Sequence, residues 1–181
     1  MTKEQAFLAN GEIANGVSFE RHELIDHSDF LIGTVHIWVW RKELGGAEVL
    51  IQKRSLSKAV KPGMLDISAA GHIDEGEATI DAAIREAQEE IGLIMEKDKL
   101  EFAFRLRKTN VANCIAAVYL YEVDSLFEPE FDDGEVESAH WYPMNEFREL
   151  LSNPEAHDFS NHGKGYFTLL LERLEIAQDQ N

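Results

Sequence analysis

Stretches with a two-residue hydrophobic period alternate along the chain with stretches of helical period. Thr34 to Trp40 is β-branched and aromatic and reads as a strand. Gly45-Gly46 predicts a turn and Ala47 to Arg54 a returning strand, which together make a hairpin. Leu100 to Arg107 sets Leu100, Phe102, Phe104 and Leu106 against polar or small residues. Cys114 to Val123 is a mostly apolar strand, and Glu135 to Tyr142 a shorter one. A helix is predicted from about Ala78 to Ile91, because Ile80, Ala83, Ile84, Ala87 and Ile91 form one apolar stripe and Gly92 stands where a glycine cap belongs. A second is predicted from about Gly165 to Gln178, with Phe167, Leu170, Leu171 and Leu174 on one face, and a short one over Met144 to Leu151. Strands mixed with helices, without regular βαβ alternation, place the chain in the α/β class as a mixed β-sheet flanked by helices.

Composition narrows the possibilities. The 181 residues carry no repeat, linker or composition shift, so one domain is expected over 1–181. Apolar residues make up 44% and charged residues 28%, which fits a packed soluble fold and excludes disorder. No apolar run is long enough for a membrane helix, and the N-terminus lacks the form of a signal peptide, so a cytoplasmic protein is expected. The one cysteine, Cys114, excludes an intramolecular disulfide and a cysteine-rich zinc site, and reads as a buried, inert thiol. The net charge of −17 repels nucleic acid polymers and anionic membranes. A phosphate substrate would need a cation between itself and the acidic groups, and a divalent metal supplies one.

The candidate chemistry lies on the first helix. Glu86, Glu89 and Glu90 stand at i, i+3 and i+4, and at about 100° per residue they fall within roughly a 100° arc, read here as the face opposite the apolar stripe. Three such carboxylates make a cup of hard oxygens suited to Mg²⁺ or Mn²⁺. Arg85 is placed to pair with Glu77 or Glu89 and fix their orientation. By itself the run reads first as a solvated face, the ordinary place for a charge run. The preceding loop decides between the two readings. Gly71, five residues, Glu77, seven residues, Arg85-Glu86, an apolar residue, any residue, Glu89-Glu90, any residue, Gly92 and an apolar residue fill every fixed position of the Nudix box. The chain therefore resembles the Nudix hydrolases, with the box at 71–93 and the first thirty residues as an N-terminal extension.

The resemblance implies an α/β/α sandwich and attack of water on a phosphorus of a diphosphate joined to another group. Glu86, Glu89 and Glu90 would bind the divalent cations, joined by the backbone carbonyl of Ala70. Arg85 and Glu77 would orient one another, and Gly71 and Gly92 would be structural. The partner implied is a small-molecule diphosphate, nucleotide or isoprenoid, and a homodimer stays open. Upstream, Arg54-Ser-Leu-Ser-Lys58 and Lys61-Pro-Gly precede Ser68-Ala-Ala-Gly-His72, which is similar to the branch containing isopentenyl-diphosphate isomerase and isomerase-like hydrolases. Arg54 and Lys58 would hold the diphosphate, and His72 would contact substrate.

The isomerase itself would need a cysteine where Ala70 stands and a carboxylate near Val111 to Asn113. It would also need histidines near Ile25 and Ile32, of which only His27 comes close. The intact box favours a hydrolase over the isomerase, and also over a catalytically silent ligand-binding module. His22, His27 and His36 show no metal-ligand spacing, and Trp38, Trp40 and Trp141 read as core before pocket wall. From Glu122 to Glu137 run eight acidic residues without a Lys or Arg, and Glu135 and Glu137 are candidates for a late carboxylate that assists the metals or acts as base. Phe159 to Phe167 either closes the pocket or leads into the last helix.

Overall fold

Strand β3 (Phe30–Glu43) is the hub of the molecule, because four other strands hydrogen-bond to it. The computed structural model describes residues 3–8, 10–20, 29–108, 114–132 and 134–179. Around β3 come β1 (Glu4–Leu8), β2 (Ile13–Phe19), β4 (Gly46–Arg54), β5 (Leu65–Asp66), β6 (Ala69–His72), β7 (Glu101–Lys108), β8 (Cys114–Glu122) and β9 (Val136–Pro143). The helices are α1 (Thr79–Ile91), α2 (Met144–Ser152) and α3 (Lys164–Asp179).

Along one edge β3 runs parallel to β8, from Ile32↔Cys114 to Trp40↔Glu122. A parallel pair needs a long crossover, and the connection that carries α1 supplies it. Along the other edge β3 meets three antiparallel strands in turn: β1 at Ala6↔Ile32, β6 over Thr34↔His72 to Ile37↔Ala69, and β4 at Trp40↔Val49 onward. The hairpin turns at Leu44-Gly45, one residue earlier than the glycine pair suggests. Gly46, at φ 123, already opens β4 and pairs with Glu43. The first residues are no separate appendage: β1 is part of the sheet, and Gln5 N–H donates to Ile73 O.

Alternation along β3 divides the core in two. Val35, Ile37 and Val39 face α1, where they meet Ala83, Ala87 and Ile91. Trp38 and Trp40 face α2 and α3, where they meet Phe147, Tyr166 and Leu170. The layers are thus α/β/α, and both tryptophans are core residues, fully buried. Trp141 is half-buried under the Arg41 guanidinium, 4.2 Å from its ring centre. Cys114 is buried beside Thr34. Among the described residues, no helix is long and apolar enough to cross a membrane.

Gly92 ends α1 at φ 67, with its N–H on Gln88 O and the Leu93 N–H on Ala87 O. A side chain there is strained in the left-handed region, and its Cβ would stand 3.1 Å from Glu130 Cβ. Gly92→Ala should cost about 1–2 kcal/mol and lower Tm by roughly 2–8 °C in a calorimetric melt.

Candidate active site

The site lies where α1 crosses the backbone of β6. Gly71 is there because nothing larger fits: a Cβ would fall 1.9 Å from Glu86 Cδ and 2.1 Å from each carboxylate oxygen. The Glu86 carboxylate occupies that space. Next to it, Ala70 N–H donates to Glu90 Oε2 at 2.9 Å. Ala70 stands opposite His36 in the antiparallel pairing of β6 and β3. Since its N–H is turned away from β3 toward Glu90, its carbonyl, on the same side of an extended residue, is turned that way too.

Glu90 departs from the sequence expectation. It is not on an exposed face but only 3% accessible. Seven residues separate it from Ala83, so two helical turns bring it back almost in line with the apolar stripe. Its two hydrogen bonds, from Ala70 N–H and from Gln52 Nε2 at 3.1 Å, both come from neutral amides and both end on Oε2, which leaves Oε1 for a further partner. Burial, chiefly, and then the charges of Glu86 and Glu135 push the Glu90 carboxyl up to about 8, against the two hydrogen bonds. The Glu86 carboxyl is also raised, first by burial and then by Glu89 and Glu135, with Arg85 opposing.

Arg85 organises the rest. Its Nε and Nη2 form a fork on Glu77 at 3.0 and 2.9 Å, Nη2 also reaches His72 O at 2.9 Å, and Nη1 bridges Glu86 at 2.7 Å and Glu89 at 3.1 Å. Burial pushes the Glu77 carboxyl up, but the Arg85 bonds and the Asp74 N–H outweigh it and hold the group below its ordinary value. Among the described residues no three His, Cys, Asp or Glu side chains close around one point as they stand. Arg85 occupies the space between Glu86 and Glu89.

Two acidic candidates separate. Glu137 pairs with Lys53 at 2.9 Å across the solvent face of β9 and β4. Glu135 lies at the site: its charge acts on both Glu86 and Glu90, and its carbonyl accepts from Ser55 N–H. Lys58 forms an ion pair with Glu135. Arg54 turns inward, with Nε and Nη2 on Val60 O at 3.2 and 3.0 Å and Nη1 3.7 Å from Asp66 Oδ2. His72 is half-buried on β6. His36 is buried with Nδ1 2.8 Å from the Tyr166 hydroxyl, within the core. His22, His27, Ile25 and Val111 to Asn113 lie outside the described residues.

Sequence reasoning missed Gln52. It opens the polar run Gln52-Lys53-Arg54-Ser55 after Val49-Leu50-Ile51, so nothing in the sequence singles it out, and the structure buries it to 2% against Glu90.

The NUDIX domain family matches residues 31–162. The chain belongs to the Nudix family. It is 29% identical over 175 residues to Nudix hydrolase 3 of Arabidopsis thaliana, a match covering 89% of this chain and 22% of the plant protein. It is 28% identical over 121 residues to the isopentenyl-diphosphate Delta-isomerase of Cutibacterium acnes, covering 61% of each. The match thus spans about a fifth of the first relative and under two thirds of the second. Among solved structures, DR0079 from Deinococcus radiodurans superposes with a TM-score of 0.67 at 21% identity, over 92% of this chain and 96% of that one. This Nudix chain therefore has sequence relatives named as hydrolase and as isomerase, and its fold is shared nearly end to end with a solved protein.

Proposed function

We propose that the chain is a divalent-metal-dependent hydrolase that cleaves a diphosphate joined to another group. The observation that carries this reading is the Glu86 carboxylate seated in the space over Gly71, next to a buried Glu90 that Ala70 N–H and Gln52 hold by Oε2 alone. Neutral amides hold Glu90 in place but do not balance its charge, and a divalent cation would relieve the repulsion. Glu86, Glu89, Glu90 and the Ala70 carbonyl are the donors that fit Mg²⁺ or Mn²⁺, all hard oxygens. The ion would supply Lewis-acid polarisation of the phosphate and a bound water of lowered pKa.

The chain's own residues do the rest. Arg85 and Glu77 orient Glu86 and Glu89. Lys58 and the guanidinium N–H groups of Arg54 not used on Val60 bring positive charge to the diphosphate. Glu135, whose charge reaches Glu86 and Glu90, would accept the proton. His72 flanks the other group on the substrate. Ala70, where the isomerase would need a cysteine, leaves no thiol acid at that position and favours hydrolysis over double-bond migration.

A phosphate-release screen over nucleotide and isoprenoid diphosphates, with and without Mg²⁺ or Mn²⁺, tests this. Turnover should require metal, at millimolar Mg²⁺ or micromolar Mn²⁺ on the order of weak carboxylate sites. Chelation should abolish turnover while the melting curve persists. Full activity in excess chelator, or dimethylallyl diphosphate formed from isopentenyl diphosphate, would refute the proposal.

A further inference from the structure

The loop between β4 and β5, residues 55–64, carries Lys58 to Glu135 and is held by polar contacts that lead back to a buried carboxylate, Asp66. Its base is closed by backbone bonds: Arg54 N–H donates to Met64 O, and Gly63 N–H to Arg54 O. Its middle is closed by the Arg54 side chain, which places two N–H groups on the Val60 carbonyl. Leu56 and Val60 are exposed, at 75% and 66%, so no apolar core of the loop's own fixes its shape. Polar contacts do so: the Arg54 staple spans the middle, while Lys58 N–H donates to Ser55 O and Met64 N–H to Lys61 O at the two ends.

The staple has an anchor. Asp66, on β5, is 8% exposed. Its Oδ1 accepts from Ile67 N–H at 2.9 Å and lies 2.9 Å from His162 Nε2, and its Oδ2 accepts from the Ser160 hydroxyl at 2.9 Å. The Oδ2 also lies 3.7 Å from Arg54 Nη1. Ser160 and His162 belong to the segment before α3, itself tied to β5 by Ser160 N–H on Leu65 O and Leu65 N–H on Asp158 O. A carboxylate so deep would ordinarily be driven toward its neutral form. Burial does push it up, but the bonds and charge of His162, with Ile67 N–H and Ser160, outweigh this and keep it well below the usual carboxylate range. A carboxylate thus stands behind Arg54, held in place by residues nearly a hundred positions further along the chain.

We infer that Asp66 is a positioning residue: it aims Arg54, and through Arg54 shapes the loop that holds Lys58 beside Glu135. The inference rests on the hydrolase reading only for its consequence in catalysis. Its structural half stands without it. Asp66 touches no reacting atom. It acts through a guanidinium that the proposed function sets against the diphosphate, so its loss should weaken substrate capture and spare the chemical step.

The test has two arms. In the first, trypsin cleavage after Lys58 is followed by mass spectrometry in the full chain. Asp66→Asn, which keeps the side-chain shape and removes the charge, should speed this cut about tenfold, because the loop opens more often, with the melt showing a folded protein. Arg54→Lys should do the same, since a lysine cannot span Val60 and Asp66 as a fork. In the second arm, on a confirmed diphosphate substrate, Asp66→Asn should raise KM about fivefold to twentyfold while kcat stays within about twofold. In an Arg54→Ala background it should add nothing, because it acts through Arg54.

Cleavage after Lys58 at the wild-type rate in folded Asp66→Asn and Arg54→Lys overturns the inference. So does a KM increase that adds in full to that of Arg54→Ala. Wild-type protein inert on every diphosphate would remove the hydrolase reading instead, and the proteolysis arm would still decide whether Asp66 shapes the loop.

Discussion

Glu90→Gln is expected to lower kcat by about 10²-fold or more at saturating metal, a loss of roughly 2.7 kcal/mol of transition-state stabilisation. Steady-state kinetics on one confirmed substrate would show it. The carboxylate presents one oxygen to Ala70 N–H and Gln52 and has one to spare. A glutamine can keep the first set by directing its carbonyl oxygen there, but then it offers an NH₂ where the metal needs a lone pair. Folding should survive. The substitution puts a neutral amide where burial already pushes the carboxyl toward its neutral form, so Tm without metal should stay level or rise. Wild-type kcat in this variant would mean that Glu90 is a structural residue only.

Gly71→Ala should also cost about 10²-fold or more in kcat, by a different route. The new methyl overlaps the Glu86 carboxylate, and since that carboxylate ends a flexible side chain, it can move aside. The backbone at Gly71 has no positive φ to forbid alanine. Stability should therefore fall by no more than about 1–3 kcal/mol, while Glu86 leaves its place. Two measurements check this: a melt beside the kinetics, and Glu86→Ala added to Gly71→Ala, which should lose little further activity. Full activity in Gly71→Ala would show that the space over residue 71 is not needed.

The elements that sequence shows well are those that carry their own signal. The stripe of α1 with its glycine cap, and the β-branched run of β3, are legible because each buries a continuous face. β5 and β6 are not. Ile67-Ser-Ala-Ala-Gly-His72 has little strand propensity, and β6 is a strand because β3 supplies its partner. β1 joins the sheet for the same reason. At the site, spacing brought Glu86, Glu89, Arg85 and Glu77 together on the page, since all lie within a turn or two of one helix and its leading loop. Counting three carboxylates as one exposed arc hid the burial of Glu90, which depends on β6 lying underneath. Gln52 and Asp66 come from strands distant in sequence from the helix, and only the sheet register brings them near; Glu135 was legible as a late carboxylate, but not apart from Glu137, which the structure turns to Lys53.

The long hub strand also bears on the order in which the molecule can be made. β3 and β8 pair residues about eighty positions apart, as Ile32 and Cys114 show. Contacts at such separation pay loop-closure entropy before they return any energy, and they slow folding. Ala70 and Gly71 are held in place by β3, and β3 is complete only when β8 lies along its other edge. A growing chain that has just exposed 71–93 thus carries the whole box and both donors to Glu90, Ala70 and Gln52, but not yet the β8 edge that completes β3. The box is not a portable metal-binding peptide. It becomes a site only when the later half of the chain closes the sheet around it.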